Sequence, residues 1–361
     1  MAQDTKRAAV EGDREDRISA LPSNVIDGIL ELLPVKDAAR TSILAQKWRY
    51  IWAMLPNLVL DKCFFGKIPP RLFKEIVNGI LLQHIGVIVK FVLDFVGLPF
   101  STYTDRDIDR WMRYVTRNGV KELTLDLPDI RTYKLPSYII NCPTLTYLEL
   151  QNCLFNPPNS FLGFQNLIDL YLKKITFVPT PEFCVINVPR LVILSLISCD
   201  GTQYLNIVSP QLESLTLREF HSLVLNCFMN CKSLRALVFL EFDQVVEKLT
   251  LDKLLSSLPT LEVLVLGSIF LELLSAVIVP KGPPFTFYCL WHLSLSVDFG
   301  KLSQISCALQ LIKSFPHLSK LQIWVSNGKF CGHALDMLMI WLIFALHTCE
   351  HENLLGISLY Y

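Results

Sequence analysis

Eleven cysteines and seven histidines are the side chains through which this chain would do nucleophilic, redox or metal chemistry, and their spacing supports none of it. No Cys-x2-Cys pair occurs. Cys331 and His333, then His347, Cys349 and His351, gather near the C-terminus. Within each group the neighbours are separated by a single residue, so only His347 and His351 stand at a zinc-pair spacing, and the groups flank a long apolar run. Zinc pairs are usually Cys-x2–4-Cys or His-x3–5-His. The motifs that place a nucleophilic serine, a zinc-bound water or a nucleotide phosphate (G-x-S-x-G, H-E-x-x-H, G-x-x-x-x-G-K-[ST] and G-x-G-x-x-G) are absent. An odd cysteine count without any Asn-x-Ser/Thr sequon argues against a secreted chain held by disulfides. The cysteines read instead as small buried hydrophobes in a reducing compartment. The expectation is no catalytic residue, no metal and no cofactor.

Charge excludes further classes. Lys plus Arg and Asp plus Glu are both 33, giving a formal net charge of zero, so neither a nucleic-acid surface nor an acidic solvating tail is expected. Residues 1–15 form a polar lead, expected to be disordered, that lacks the apolar stretch of a signal peptide. Met337 to Leu346 is apolar but is half the roughly 20 residues a bilayer demands. The chain is therefore expected in the nucleus, the cytoplasm or both, away from membranes. At 361 residues and 52% hydrophobic, it can hold two or three units around a large core.

The elements that would position any site follow from a repeat. The pattern L-x-x-L-x-L starts at Val120, Leu145, Leu167, Leu191, Leu212, Leu234, Leu261, Leu290 and Leu318, at intervals of 21 to 29 residues. Pro143, Pro189, Pro210, Pro259 and Pro316 each lie two residues before the first position of a copy, where proline ends the incoming segment and delivers an extended chain. This is the period of a leucine-rich repeat. No copy buries its apolar face alone, so the copies are expected to stack into a curved solenoid over residues 120–327, its short strands forming a parallel sheet on the concave face. Position eight of the copies from Leu145 onward, often Asn or Cys in such repeats, is here Cys153, Ile175, Cys199, Phe220, Phe242, Ile269, Asp298 and Ser326. Apolar packing is expected in place of an asparagine ladder.

Alternate strand residues would line the concave face. Early copies are acidic and aromatic, with Glu149, Tyr147, Asp169 and Tyr171; middle copies are apolar, from Ile193 and Ile197 through Val238, Leu240, Val263 and Val265. With Arg218 and Trp324, the two tyrosines and these six aliphatics are the candidate substrate-binding residues. An exposed apolar stretch of this kind suits a protein segment or an apolar small molecule; loops or a terminal element covering it is the alternative.

Upstream, residues 63–119 read as a linker and N-terminal cap: a helix near 70–85, a strand near 87–96, and a helix from Asp105 with Ile108, Trp111, Met112 and Val115 facing inward and Asn118-Gly119 closing it. Before that, residues 16–62 read as three short helices punctuated by proline. Pro22 starts the first, Pro34 stops it, and Ser42 would cap a third helix carrying Ile43, Leu44, Trp48, Ile51 and Trp52. Its apolar residues cover more than one face of each helix, and a unit this small buries too little surface to stand comfortably alone. Such a segment needs a partner.

The residues Leu21-Pro22, Ile29-Leu30, Leu33-Pro34 with Lys36-Asp37, Ser42-Ile43-Leu44 and Lys47-Trp48-Arg49 before Trp52 resemble an F-box, the module that docks on a Skp1-like adaptor and, through it, on cullin and a RING protein. The resemblance implies that Leu21, Pro22, Ile29, Leu33, Pro34, Val35, Ile43, Leu44, Trp48 and Trp52 meet the adaptor. With Asp107 to Trp111 and the irregular repeats, residues 16–327 are similar to the plant F-box/FBD/LRR family. That implies an α+β or α/β solenoid and the non-catalytic, substrate-recognising adaptor of an SCF-type E3 ubiquitin ligase, acting on an unknown protein by proximity. Alternatives are an F-box/LRR module outside a ligase, or defective in one, and a small-ligand co-receptor of such a complex. Residues 328–361 depart from the family pattern: they read as neither a further repeat nor an FBD segment, which would leave an apolar edge strand at that end.

Overall fold

The computed structural model describes residues 21–44, 48, 50–66, 68–97, 103–129, 132–157, 161, 163–178, 184–201, 205–223, 231–245, 255–281, 287–326 and 356–360. The polar lead, the apolar run Met337 to Leu346 and the Cys/His groups around it lie outside these residues.

Proline and short amphipathic segments set the N-terminal elements. Helix α1 (Ser23–Glu31) starts behind Pro22, which serves as its N-cap, and buries Ile26 and Leu30; α2 (Val35–Arg40) starts behind Pro34. Across the expected third helix the described residues include the 3-10 turns Thr41–Ile43 and Ile51–Met54, and residues 45–47 and 49 lie outside the described set. Ser42 does not cap it: its hydroxyl donates back to the Ala39 carbonyl, the local side-chain-to-backbone bond by which serine competes with helix continuation. A small core of Ile26, Leu30, Ala38, Trp48 and Leu55 closes the module.

Twelve strands then form one parallel sheet. In spatial order they are β1 (Asn57–Leu60), β2 (Lys90–Asp94), β3 (Glu122–Asp126), β5 (Tyr147–Gln151), β7 (Asp169–Lys173), β10 (Ile193–Ile197), β12 (Ser214–Leu223), β13 (Ala236–Val245), β14 (Val263–Leu266), β15 (His292–Val297), β16 (Lys320–Val325) and β17 (Gly356–Tyr360). Register is uniform: Leu148 pairs with Leu170, Leu170 with Leu194, Leu194 with Leu215 and Leu215 with Leu237. The repeat leucines therefore stack in rows. All of these leucines are buried, and each would cost roughly 2–5 kcal/mol if cut to alanine.

Two differences from the sequence reading have one cause. The sheet begins two strands before Val120, and Gly356–Tyr360 adds a strand after β16, where the tail was expected to leave the repeat. Leu55-Leu58-Leu60, Ile88-Phe91-Leu93 and Leu354-Ile357-Leu359 each fit the pattern; their intervals exceed 29 residues, so a search at the usual period passes over them. Helical crossovers occupy two of the long intervals: α3 (Lys62–Phe65) and α4 (Phe73–Gln83) between β1 and β2, and α5 (Asp105–Arg117) between β2 and β3. Helix α5 opens with a capping box, Thr104 and Asp107 satisfying each other's backbone N–H.

The remaining strands form shallow second layers: β4 (Tyr133–Lys134), β6 (Cys153–Phe155) and β8 (Thr176–Phe177) in one, β9 (Cys184–Asn187) and β11 (Leu205–Val208) in another. Helices α6 (Ser137–Ile140), α7 (Ser268–Lys281) and α8 (Leu302–Ser314) add buried residues to the same core as the repeat leucines. Position eight is buried at Cys153, Ile175, Cys199, Phe220 and Phe242, and the Phe220 and Phe242 rings stack at 5.4 Å. One residue earlier the backbone turns left-handed in five successive repeats: Asn152, Lys174, Ser198, Glu219 and Glu241 have φ of 61°, 51°, 52°, 58° and 55°. The turn aims the N–H of Asn152, Lys174 and Ser198 at the carbonyls of Lys173, Ile197 and Arg218 of the next repeat. A backbone ladder thus takes over the role of an asparagine ladder.

Candidate interaction surfaces

Two surfaces emerge, one on the N-terminal helices and one on the sheet. On the first, Leu32 is 86% exposed, Ile43 85% and Leu44 65%, with Val25, Ile29, Tyr50 and Met54 also outward. Pro22 and Pro34 are exposed; Leu21, Leu33 and Trp52 are half-buried and lean on the module's own core. Two side chains expected at the adaptor are elsewhere. Val35 and Trp48 are each 3% exposed. Val35 packs into the sheet's core and Trp48 fills the small helical core, its indole N–H without a partner among the described residues. Trp48 faces inward because a small module needs a large apolar side chain to fill its own interior, and Val35 because it joins the module to the repeat core. Conversely, sequence reading passed over Val25, Leu32, Tyr50 and Met54; the signal was an apolar residue just off each helix's buried stripe.

The second surface is the sheet face opposite the helices. At its β2–β7 end, Asp94, Asp126, Glu149 and Asp169 lie in adjacent strands. Glu149 accepts from the hydroxyls of Thr124 (3.2 Å) and Tyr147 (2.8 Å), while Lys90 pairs with Glu122 at 3.0 Å. Burial, then the Glu149 and Asp94 charges, push the Asp126 carboxyl up to about 7 against the pull of Lys173. Burial and Glu122 raise Asp169 in the same direction. The Tyr147 and Tyr171 rings sit 5.4 Å apart beside these acids.

Toward the middle of the face the polarity changes. Ile193, Ile197, Val238, Leu240, Val263 and Val265 are all half-buried, on the side expected for them. Arg218 is engaged within the chain: its guanidinium donates to both carboxylate oxygens of Glu241 at 2.6 and 3.2 Å. At the far end, Trp324 donates its indole N–H to Ser294 Oγ at 3.1 Å, and His292 donates to Gln322 at 2.8 Å. Burial holds the His292 imidazole below its usual range.

Chemistry is suppressed at the four buried cysteines among the described residues, while Cys63 and Cys289 are exposed. Burial pushes the thiols of Cys153, Cys199 and Cys307 up to about 12 and Cys231 to about 11, so none of these is a thiolate nucleophile. Among the described residues, no group of three His, Cys, Asp or Glu is placed to hold a metal, and no helix is long and apolar enough to cross a membrane.

Comparison with known proteins matches family models to both parts of the chain. The F-box family matches residues 18–60, and the family described as "FBD-associated F-box protein At5g56370, LRR repeats" matches residues 108–323. The chain belongs to the F-box/FBD/LRR-repeat proteins. F-box/FBD/LRR-repeat protein At1g13570 of Arabidopsis thaliana is 34% identical over 87% of this chain and 77% of its own length. FBD-associated F-box protein At5g56370, from the same plant, is 24% identical over 95% of this chain and 85% of its own. F-box/LRR-repeat protein At3g59200, also from Arabidopsis, is 37% identical over 44% of this chain and 30% of its own. Such F-box/LRR proteins are in general non-catalytic adaptors, and no enzyme family is indicated.

Proposed function

We propose that this F-box/FBD/LRR-repeat chain is the target-recognition subunit of an SCF-type ubiquitin ligase. In this reading the F-box grips a Skp1-like adaptor, cullin and a RING protein follow through it, and the sheet face, as the concave side of a curved solenoid, selects a target protein. The chain itself breaks and makes no bond: it raises the local concentration of the target beside a charged conjugating enzyme. The compartments that fit are the nucleus and the cytoplasm.

The observation that carries the reading is the outward apolar set Leu32, Ile43, Leu44 and Met54 on the residues that match an F-box. Large aliphatics on a short helical module gain by desolvation against a partner, and a few such central residues hold most of an interface's energy. The test is co-purification of the full chain with a Skp1-like adaptor, wild type against Ile43→Asp/Leu44→Asp. Loss of adaptor from a variant whose circular dichroism and melting are unchanged is the expected result; undiminished capture would overturn the assignment.

A further inference from the structure

The acidic and aliphatic halves of the sheet face are not interchangeable, and their order gives the target a chemistry. At the β2–β7 end four carboxylates, Asp94, Asp126, Glu149 and Asp169, share a face whose cations are few: Lys90 is paired with Glu122, leaving Lys173 as the cation beside Asp126. The whole chain has no net charge, so this negative field is a local arrangement. Glu149 is held in place by two hydroxyl donors, and the ring pair of Tyr147 and Tyr171 adds π faces that attract a cation. On β13 and β14 the same face is aliphatic.

We propose that this face recognises an extended basic–aliphatic segment: a Lys or Arg seats among Asp126, Glu149 and the tyrosine pair, and aliphatic side chains of the same segment seat on Val238, Leu240 and Val265. This rests on the reading of the face as the target-binding surface. The rows give the spacing. Five strand steps separate β3 from β13 and six separate it from β14. At about 4.8 Å per step this is roughly 24–29 Å, which an extended chain at about 3.3 Å per residue crosses in roughly seven to nine residues. A cation arriving at Asp126 also displaces the proton that burial and the neighbouring carboxylates hold there. Binding therefore tightens as pH rises from 6 toward 8. Around Asp126, Asp94, Glu149 and the Lys173 ammonium face it, and the Cys153 thiol lies beneath. The Asp169 carboxyl, also raised, lies two strands away on β7, and His292 lies at the opposite end beyond β14.

The test uses the full chain bound to its adaptor and fluorescein-labelled synthetic peptides read by polarisation. The probe carries Lys-Arg and Ile-Val separated by a seven-residue Gly/Ser spacer; controls replace Lys-Arg with Glu-Glu or shorten the spacer to two residues. The probe should bind about tenfold tighter than either control, and tighter at pH 8 than at pH 6. Glu149→Gln should weaken it, and Asp126→Asn should flatten the pH profile while the melting point does not fall below that of the wild type. Equal binding of the Lys-Arg and Glu-Glu probes, or indifference to spacer length, overturns the proposal. Adaptor capture measured on the same preparations separates the two failures: if it persists without peptide preference, only this inference falls; if it is absent, the ligase reading falls with it.

Discussion

His84 donates its Nε2 proton to the carbonyl oxygen of Leu55 at 3.0 Å, joining the last residue of helix α4's C-terminal cap to the point where the F-box ends and the sheet begins. Two further bonds reinforce the joint: the Ile85 N–H reaches the Ala53 carbonyl at 2.7 Å, and the Tyr114 hydroxyl reaches the His84 carbonyl at 3.4 Å. Val35, from the F-box, packs into the repeat core. The F-box module is thus fastened to the first strands, so in the proposed ligase a target on the sheet would stand at a fixed place relative to the adaptor. Fixed geometry raises effective concentration more than a flexible tether does.

His84→Ala should loosen that joint. It strands a buried carbonyl and removes a ring that is nearly inaccessible, costing about 2–3 kcal/mol. Urea unfolding of the purified chain would show it as a lower midpoint; an unchanged midpoint would mean the joint carries no energy.

Trp48 and Ile43 should fail differently. Trp48→Ala opens a cavity in a core of five buried residues and should cost about 3–5 kcal/mol, enough to unfold the small module and lose the adaptor with it. Ile43→Asp changes an exposed side chain and should leave stability within about 0.5 kcal/mol while abolishing capture. Comparing melting curves with pull-down for each variant separates the two; equal destabilisation would contradict the inward and outward placement.

The repeat was legible because its period and its leucine spacing are properties of the chain alone: every strand of the twelve-stranded sheet from Glu122 to Val325 falls where L-x-x-L-x-L places it. What escaped was either aperiodic or three-dimensional. Leu55-Leu58-Leu60 and Ile88-Phe91-Leu93 carry the same signature, but the helical insertions after them stretch the interval. Trp48 and Ile43 are both apolar and both in the F-box match; only the packing of Ile26, Leu30 and Ala38 around one of them decides which is core and which is surface. The left-handed residues were invisible because Lys174 and Glu241 are not types that favour positive φ; at Lys174 the constraint comes from the next repeat's carbonyl.

Stability should depend on pH through Asp126. Its folded carboxyl holds a proton up to about pH 7, against an ordinary value of 3.8, so between these values the folded chain binds more protons than the unfolded one. Stability then falls as pH rises through that window and levels off above it. Asp126→Asn removes the term and should flatten the slope, leaving the variant more stable than wild type at pH 8 by roughly 1–2 kcal/mol after allowing for partial solvation. Denaturation midpoints at pH 5, 6, 7 and 8 decide it: parallel curves for the two proteins would refute the assignment.

The left-handed ladder makes the sharpest distinction by residue type. Ser198 has φ of 52° and gives its N–H to Arg218 at 2.9 Å. It stands one residue before Cys199, which is buried, so the conformation cannot relax without pulling the thiol from the core. A β-branched side chain in this region meets the backbone closely, costing about 1–2 kcal/mol or more, whereas glycine adopts it freely. Ser198→Val should therefore lower the urea midpoint at unchanged slope. Ser198→Gly should hold it or raise it slightly, even though both variants delete the same hydroxyl and its contact with Glu219. If the two substitutions moved the midpoint alike, the lost hydroxyl rather than the backbone turn would be the stabilising element, and the ladder would have no energetic role.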